Sequence, residues 1–492
     1  LVFIGIEIMR KHIADSLNLI GELIYNNTFT VSDFNGYLNG KVVNINKIEK
    51  DFDLKFNLEP NERSNANDIT YQIVPQFKIT NQSGKIFLVP EKRTLFINVN
   101  DNLHDYQISI TGRINQIQTI DFSTDSKRFQ RLIIPINQAQ FGFNDFEIKF
   151  YKSDIKNRYN ELIKLQINDA EYHFFVLKID DHIYWAVDST AVLSQSDFKV
   201  IAFSIMNVYG FLKGDLFLNE SYYISSDNAE FTSNLELQYN SIRDSILTGY
   251  SMFTTNAYSV FVPFYQAQGV ELNNEEIMKW REKFMLFPAS TFSKLVELFL
   301  NNDKFSRASL IILEANNQPL ELKAASYCVA FEAVSASTKD LFGIDSPSVI
   351  DVDTWRNEIK SPFTTLLASL QSDGKLTLDE HRILSNKLAN WNSPTNRDKL
   401  TAPFKKFGYE LSKDEFKCVD GRNQFLHGSL PVNERNEDEA FKELYHISLT
   451  LHKLVYVLTL KAAGFKGFIV NYPKMHSHVT GKEVDQDLFI EI

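Results

Sequence analysis

The chain has 492 residues, more than one hydrophobic core organises, so two or three domains are expected. Hydrophobic residues make up 44% and charged residues 23%, the texture of an ordinary globular protein with no sign of a disordered or fibrous class. The net charge of −11 excludes a global positive field, so any contact with nucleic acid must rest on a local basic patch.

Residues 1–8 are apolar but short, and the positive charges Arg10 and Lys11 follow them, the reverse of a secretory signal. The start is read as Leu1 or Met9, and residues 1–39 as an N-terminal segment. From about 40 to 190 the pattern has period two. Tyr106, Ile108 and Ile110 alternate with Gln107, Ser109 and Thr111, and Phe146, Ile148 and Phe150 alternate with Glu147, Lys149 and Tyr151. Residues 171–188 read as a hairpin turning at Asp180-Asp181. Many short strands of this kind predict an antiparallel sandwich or barrel-like region.

A helix is expected over 196–212, capped by Ser196 and ended by Gly210 or Gly214. Residues 245–270 carry no charge, but Asn256, Gln266, Gln268 and Pro263 are costly in lipid, so this stretch reads as buried strand and loop, with no membrane contact. The β-rich region is thus placed at 40–270 and a helical region at 271–470, followed by a tail at 471–492. The fold class is α+β multidomain.

The helical region shows segments at 275–285, 291–301, a long helix opened by Pro319 and closed before Gly343, and two more at 351–371 and 378–391. Ser412-Lys413-Asp414-Glu415 is a capping-box sequence, so a helix starts there and stops near Gly428. A last long helix runs from Asn436 to Gly464, with acids in its first turn. Phe441, Leu444, Ile447, Leu451, Leu454, Val455 and Leu458 give it one apolar face.

Only one Arg in the chain has a His five positions later: Arg422 and His427. Chance predicts about 0.3 such pairs, so context carries the weight. Asn423 and His427 lie one turn apart on one helical face. At the end of its helix His427 feels the helix dipole, which favours the imidazolium, and Arg422, which opposes it; a histidine so balanced suits acid–base work near neutrality. A structural pair at a helix end is the alternative.

The string Arg422-Asn423-Gln424-Phe425-Leu426-His427-Gly428 resembles the HEPN superfamily of helical nucleases. Asn392-Ser393-Pro394-Thr395-Asn396 and Phe407-Gly408-Tyr409-Glu410-Leu411-Ser412 resemble its Apea-like branch. The resemblance spans roughly 275–465; Ser429 stands where some toxins of the family carry Tyr. It implies an all-helical domain, RNA cleavage without metal, a homodimer with two motifs facing each other, and a role in prokaryotic antiphage defence of the abortive-infection type. In that chemistry His427 is the acid/base, Arg422 the phosphate clamp and Asn423 an orienting group. The β-rich region would then sense a trigger and gate the nuclease. A non-catalytic nucleic-acid, nucleotide or protein-binding module is the rival.

Glu332 is the only charged side chain between Lys323 and Lys339, and helices of the Apea-like branch resemble this one in carrying an acid there. It is expected either at a solvated edge or paired with Arg422 or His427, because an unpaired buried charge is very costly. For RNA contact, Arg382, Lys387, Arg397, Lys399, Lys405 and Lys406 stand against the single acid Asp398 over 382–406. Two cysteines, Cys328 and Cys418, are too few for a disulfide framework and lack a metal-type spacing. A reducing, cytoplasmic setting and no metal or other cofactor are therefore expected. His476 and His478 lack companion ligands in sequence, and His446 and His452 read as packing or surface residues.

Overall fold

The computed structural model describes residues 9–33, 39–48, 51–58, 75–102, 107–136, 142–155, 159–179, 182–216, 220–241, 247–248, 250–345, 348–426 and 437–492. A strand-rich N-terminal region is followed by a helical region, an α+β multidomain architecture. Two compact units result: Leu1–Tyr258 with Asn273–Asn301, and Ser259–Leu272 with Asn302–Ile492.

In the first unit sixteen strands form one hydrogen-bonded series. From edge to edge it reads Met9–Lys11, Lys149–Ser153, Tyr159–Ile167, Ala170–Ile179, His182–Ser189, Phe129–Ile136, Glu220–Ser226 and Glu236–Ser241. It continues through Gln116–Thr119, Ile86–Val89, Phe77–Asn81, Thr28–Ser32, Val42–Ile48, Asp51–Leu58, Gln107–Ile114 and Thr94–Asn102. Among the described residues only the first pair of this series is parallel. The series does not close into a barrel among the described residues, but it folds back on itself: Phe52 meets Tyr239 edge-on at 4.7 Å, although their strands stand six places apart. One core cluster accordingly takes Phe29, Ile45 and Phe77 from one half, Leu162, Phe175 and Tyr222 from the other, and Leu19, Ile20 and Leu23 from the Ala14–Ile24 helix. Burial alternates along strands such as Phe77–Asn81, but Tyr151, read on the face opposite Phe150, is the residue that enters this core, while Phe150 is half-buried.

Charge is buried beside that core. Asp188 accepts from Arg131 Nε at 2.7 Å, from Arg131 Nη2 at 2.9 Å and from Lys11 Nζ at 2.6 Å. Burial alone would raise this carboxyl; Arg131 and Lys11 outweigh it and hold it well below the usual carboxylate range. Lys11 Nζ also lies 2.8 Å from His173 Nδ1. An ammonium has only donors, so Nδ1 accepts and Nε2–H donates to Glu171 Oε1 at 2.7 Å. Residues 9–33 of the N-terminal segment are therefore part of the first unit. Met9–Lys11 is an edge strand, Thr28–Ser32 lies inside the sheet, and Lys11 is an internal counter-ion.

The helix at Gln195–Lys213 is capped by Ser194, whose hydroxyl accepts from Asp197 N–H, and Gly214 ends it at φ 81°. Ser196 instead contacts Ser194 Oγ. The boundary expected at 270 moves. Helices Asn274–Lys283 and Ala289–Asn301 belong with the sheet, because Ser293 Oγ and Glu297 Oε1 accept from the N–H groups of Gln166 and Asn168. Phe292 packs on Phe146 and Phe174. Residues 245–270, expected as strand and loop, contain the helix Tyr258–Gln268 with Pro263 inside it. Asp180-Asp181, the expected turn, lies outside the described residues.

The second unit is built round the helix Glu437–Ala462. Every residue from His446 to Leu460 is buried, so the expected single apolar face is corrected to a helix enclosed on all sides. Phe441, assigned to that face, is half exposed. Leu320–Leu341 is its main neighbour. The supposed tail 471–492 is part of the unit: Phe468–Val470 pairs with Phe489–Glu491, and Asn471 N–H donates to Leu488 O at 2.8 Å. Among the described residues no helix is long and apolar enough to cross a membrane.

Burial, then the charge on Lys11, lowers the His173 imidazole from 6.5 to about 4, against Glu171 and Asp188. Between those values the unfolded chain takes up a proton that the folded ring refuses, so stability falls as pH drops through that window, by at most about 3 kcal/mol. Urea unfolding of the first unit at about pH 7 and about pH 5 measures this, and His173→Gln should flatten the difference.

Candidate functional site

The helix Lys413–Leu426 starts where the capping box predicts. Ser412 N–H donates to Glu415 Oε2 at 2.7 Å, and Glu415 N–H donates to Ser412 Oγ at 3.2 Å. Glu415 does more than cap. Its side chain is 3% exposed, and Oε1 accepts from Lys453 Nζ at 2.7 Å and from the Tyr409 hydroxyl at 2.9 Å. Lys453 is 2% exposed and donates also to Gln486 Oε1 at 2.8 Å. A buried ion pair thus fastens the first turn of this helix to the enclosed helix. Burial and the Glu415 carboxylate raise the Tyr409 hydroxyl far above its ordinary value, so it stays a donor.

Arg422 is buried in the last two turns of the same helix. Its Nε donates to Glu332 Oε1 at 3.0 Å and its Nη1 to Val419 O at 2.8 Å. The structure thus brings Arg422 and Glu332 together across 90 residues of chain. The Glu332 side chain is 37% exposed, so one edge of the pair faces water. Beside it, burial and then Glu332 push the Cys328 thiol up to about 12, leaving it protonated and inert. Asn423 belongs to the same helix, but its side chain lies outside those described, and His427 lies outside the described residues. The expected meeting of Asn423 and His427 on one face is therefore not a contact this structure describes.

The basic residues fall on two helices. Arg382 and Lys387 stand on Leu378–Asn390, and Arg397, Lys399, Lys405 and Lys406 on Asn396–Lys406. Arg382 is exposed and pairs with Asp379 at 3.3 Å. Arg397 pairs with Asp420 at 3.1 Å and lies over the Phe416 ring at 4.9 Å. Lys387 borders a shallow surface groove with Ile383, Asn386, Asn390 and Trp391. Asp398, the single acid weighed against them in sequence, accepts from Thr395 at the helix cap. Two of the six cations are thus partly neutralised by Asp379 and Asp420, both of which lie outside the sequence window. Asn392 stands in a turn, is buried and exchanges two hydrogen bonds with the backbone of Ile350, 2.6 and 2.8 Å long.

Sequence reading missed two features. Lys453 sits in an apolar run, and nothing in its neighbours forecasts a buried partner 38 residues upstream. Cys418, which lacks a metal-type spacing in sequence, stands with Asp414 and His446 so that their ligand-type atoms all lie within 4.8 Å of one another. Asp414 and Cys418 are four apart on one helical face, the only local signal available. His452 is fully buried among Tyr327 and Tyr456 rings, and burial lowers it to about 3. His476 lies over Tyr472 and is lowered by burial, then by His478, to about 4. Both are neutral packing residues near pH 7.

No protein-family model matches the chain, and neither the curated proteins nor the solved structures contain a significant match.

Lys453→Met alone leaves Glu415 charged and buried, and should cost about 3–5 kcal/mol. The double variant Lys453→Met/Glu415→Gln should recover much of that. A urea-unfolding cycle measures it, and additive losses would show that the pair is not coupled.

Proposed function

We propose that the helical unit is a metal-independent endoribonuclease of the HEPN type, acting in prokaryotic antiphage defence and gated by the strand-rich unit. The observation that carries this reading is the Arg422–Glu332 pair, standing one residue ahead of Asn423 and five ahead of His427. It fixes the guanidinium four residues before Leu426, with one edge of the pair open to water. The defence role and the homodimer rest on the family resemblance, and a cytoplasmic setting rests on two free, buried cysteines.

The reaction divides among few groups. His427 takes the proton of a ribose 2′-hydroxyl, and the oxygen attacks the adjacent phosphorus as the 5′-oxygen leaves with a proton. Arg422 offsets the charge gathering on the phosphoryl oxygens. Arg382, Lys387, Arg397, Lys399, Lys405 and Lys406 would hold the RNA backbone.

One observation favours a second reading. Arg422 already spends Nε and Nη1 on protein partners, as a structural arginine in a nucleic-acid-binding or protein-interaction module would. Purified full-length protein incubated with RNA in excess EDTA separates the two. The nuclease reading expects cleavage that falls on the order of 10²–10⁴-fold in His427→Ala, with Arg422→Lys and Arg422→Ala also impaired and circular dichroism unchanged. Equal cleavage by wild type and variants contradicts the assignment, and binding without cleavage in all of them favours the second reading.

A further inference from the structure

We propose that Asp414, Cys418 and His446 form a binding site for a zinc-class divalent cation, which ties the Arg422-bearing helix to the enclosed helix of the second unit. The site lies outside the proposed nuclease chemistry, and it gives the cation a structural role there.

The donors are a carboxylate, a thiol and an imidazole. Asp414 and Cys418 come from the first turns of Lys413–Leu426, and His446 from Glu437–Ala462, 28 residues beyond Cys418. Their ligand-type atoms lie within 4.8 Å of one another. A tetrahedral site with metal–ligand distances of about 2.0–2.3 Å needs ligands roughly 3.3–3.8 Å apart, so small side-chain rotations close the set. Asp414 is half exposed and can make them, whereas Cys418 and His446 are buried and hold their places. Mixed sulfur, nitrogen and oxygen donors favour zinc over calcium or magnesium, which take oxygen.

A second observation is independent of the spacing. His446 is 1% exposed; its Nε2 donates to Asp414 Oδ2 at 2.5 Å, while Nδ1 is buried with no hydrogen-bond partner. A ring nitrogen left bare in a buried site is costly. A cation would take the Nε2 lone pair in place of the hydrogen bond to Asp414, so that the carboxylate and the imidazole share a metal where they now share a proton.

The charge balance is favourable. Binding breaks the Cys418 S–H bond, releases that proton to solvent and forms a metal–thiolate bond; with the Asp414 carboxylate, the two negative ligands cancel a divalent charge. The imidazole stays neutral: its Nε2 proton is exchanged for one on Nδ1 when Nε2 becomes the ligand. Water takes the fourth position from the exposed side of Asp414. Around the set, Glu443 pairs with Lys482 at 2.6 Å and with Lys417 at 3.7 Å, and Glu415 pairs with Lys453. These neighbours are three lysines against two glutamates, a net charge of +1, and the two lysines on Glu443 stand at exposed or part-exposed positions where solvent screens them.

The placement has a consequence. Residues 414, 418 and 422 repeat every four positions, so the cation and the Arg422 guanidinium share one stripe of the helix. A cation at the first two members fixes the rotation of that helix and hence the approach of Arg422 to Glu332.

The test uses the full-length protein. After growth in zinc-supplemented medium and gel filtration against metal-free buffer, elemental analysis should find one zinc per chain. Cobalt exchanged into the site should give a thiolate-to-cobalt charge-transfer band, absent in Cys418→Ser and present in Cys328→Ser. Loss of an outer-sphere partner typically weakens metal binding by about 10–100-fold, so loss of a ligand in Cys418→Ser or His446→Gln should weaken it by about 100-fold or more. Should Cys418→Ser fail to fold, Asp414→Asn at its half-exposed position should still weaken binding at least about tenfold. No retained zinc, or a cobalt band that survives Cys418→Ser, overturns the site. The two proposals fail separately: zinc bound without RNA cleavage contradicts the nuclease alone, and His427-dependent cleavage without zinc binding contradicts the metal site alone.

Discussion

The second unit depends on one buried ion pair, Lys453 with Glu415. From His446 to Leu460 the helix Glu437–Ala462 is enclosed on every side, and a lysine in the middle of that stretch has no route to water. An ammonium so placed must meet an anion and further acceptors, and Glu415 and Gln486 supply them at 2.7 and 2.8 Å. Glu415 is also the closing member of the capping box, so one carboxylate starts the helix Lys413–Leu426 and anchors it. Two turns further along that helix stands Arg422, whose own position is set by Glu332 and by the Val419 carbonyl. The approach of the candidate site to its neighbours therefore traces back to a lysine that takes no part in the chemistry.

Local chemistry was legible in the sequence. The Ser412–Glu415 box, the Pro319 start, the glycine after Ala462 and the isolated acid at Glu332 each carry a signal within a few residues, and the helices begin and end close to where those signals fall. Glu332 was legible because a lone charge in an apolar helix has few places to go. Long-range burial was not. The seven apolar residues chosen as one face of the last helix left its other faces free to be solvated, while the structure covers them, together with His446, His452 and Lys453. Polar residues on a helix look like a wet face until their partners are known, and here the partners come from Asp414, Glu415 and the C-terminal strand segment.

The misplaced boundary has a similar origin. Residues 274–301 have helical periodicity, and periodicity reports local conformation without naming the surface against which the apolar face lies. The contacts of Ser293 and Glu297 with the strand Tyr159–Ile167 and its turn, and of Phe292 with Phe146 and Phe174, reveal membership of the first unit. In that unit too the N-terminal segment carries no sign in sequence of its place in the sheet, where Lys11 balances Asp188. Both units thus place a lysine in the interior and answer it with a carboxylate from a distant segment.

The chemical claim at the centre of this account is attack by a ribose 2′-hydroxyl without a catalytic metal. Mass spectrometry of the RNA ends left by the full-length protein in excess EDTA reads it most directly. The account predicts 2′,3′-cyclic phosphates paired with 5′-hydroxyls, and an uncut linkage wherever the scissile nucleotide is 2′-deoxy. Ends carrying 5′-phosphate and 3′-hydroxyl, or cleavage of the deoxy linkage, would contradict it.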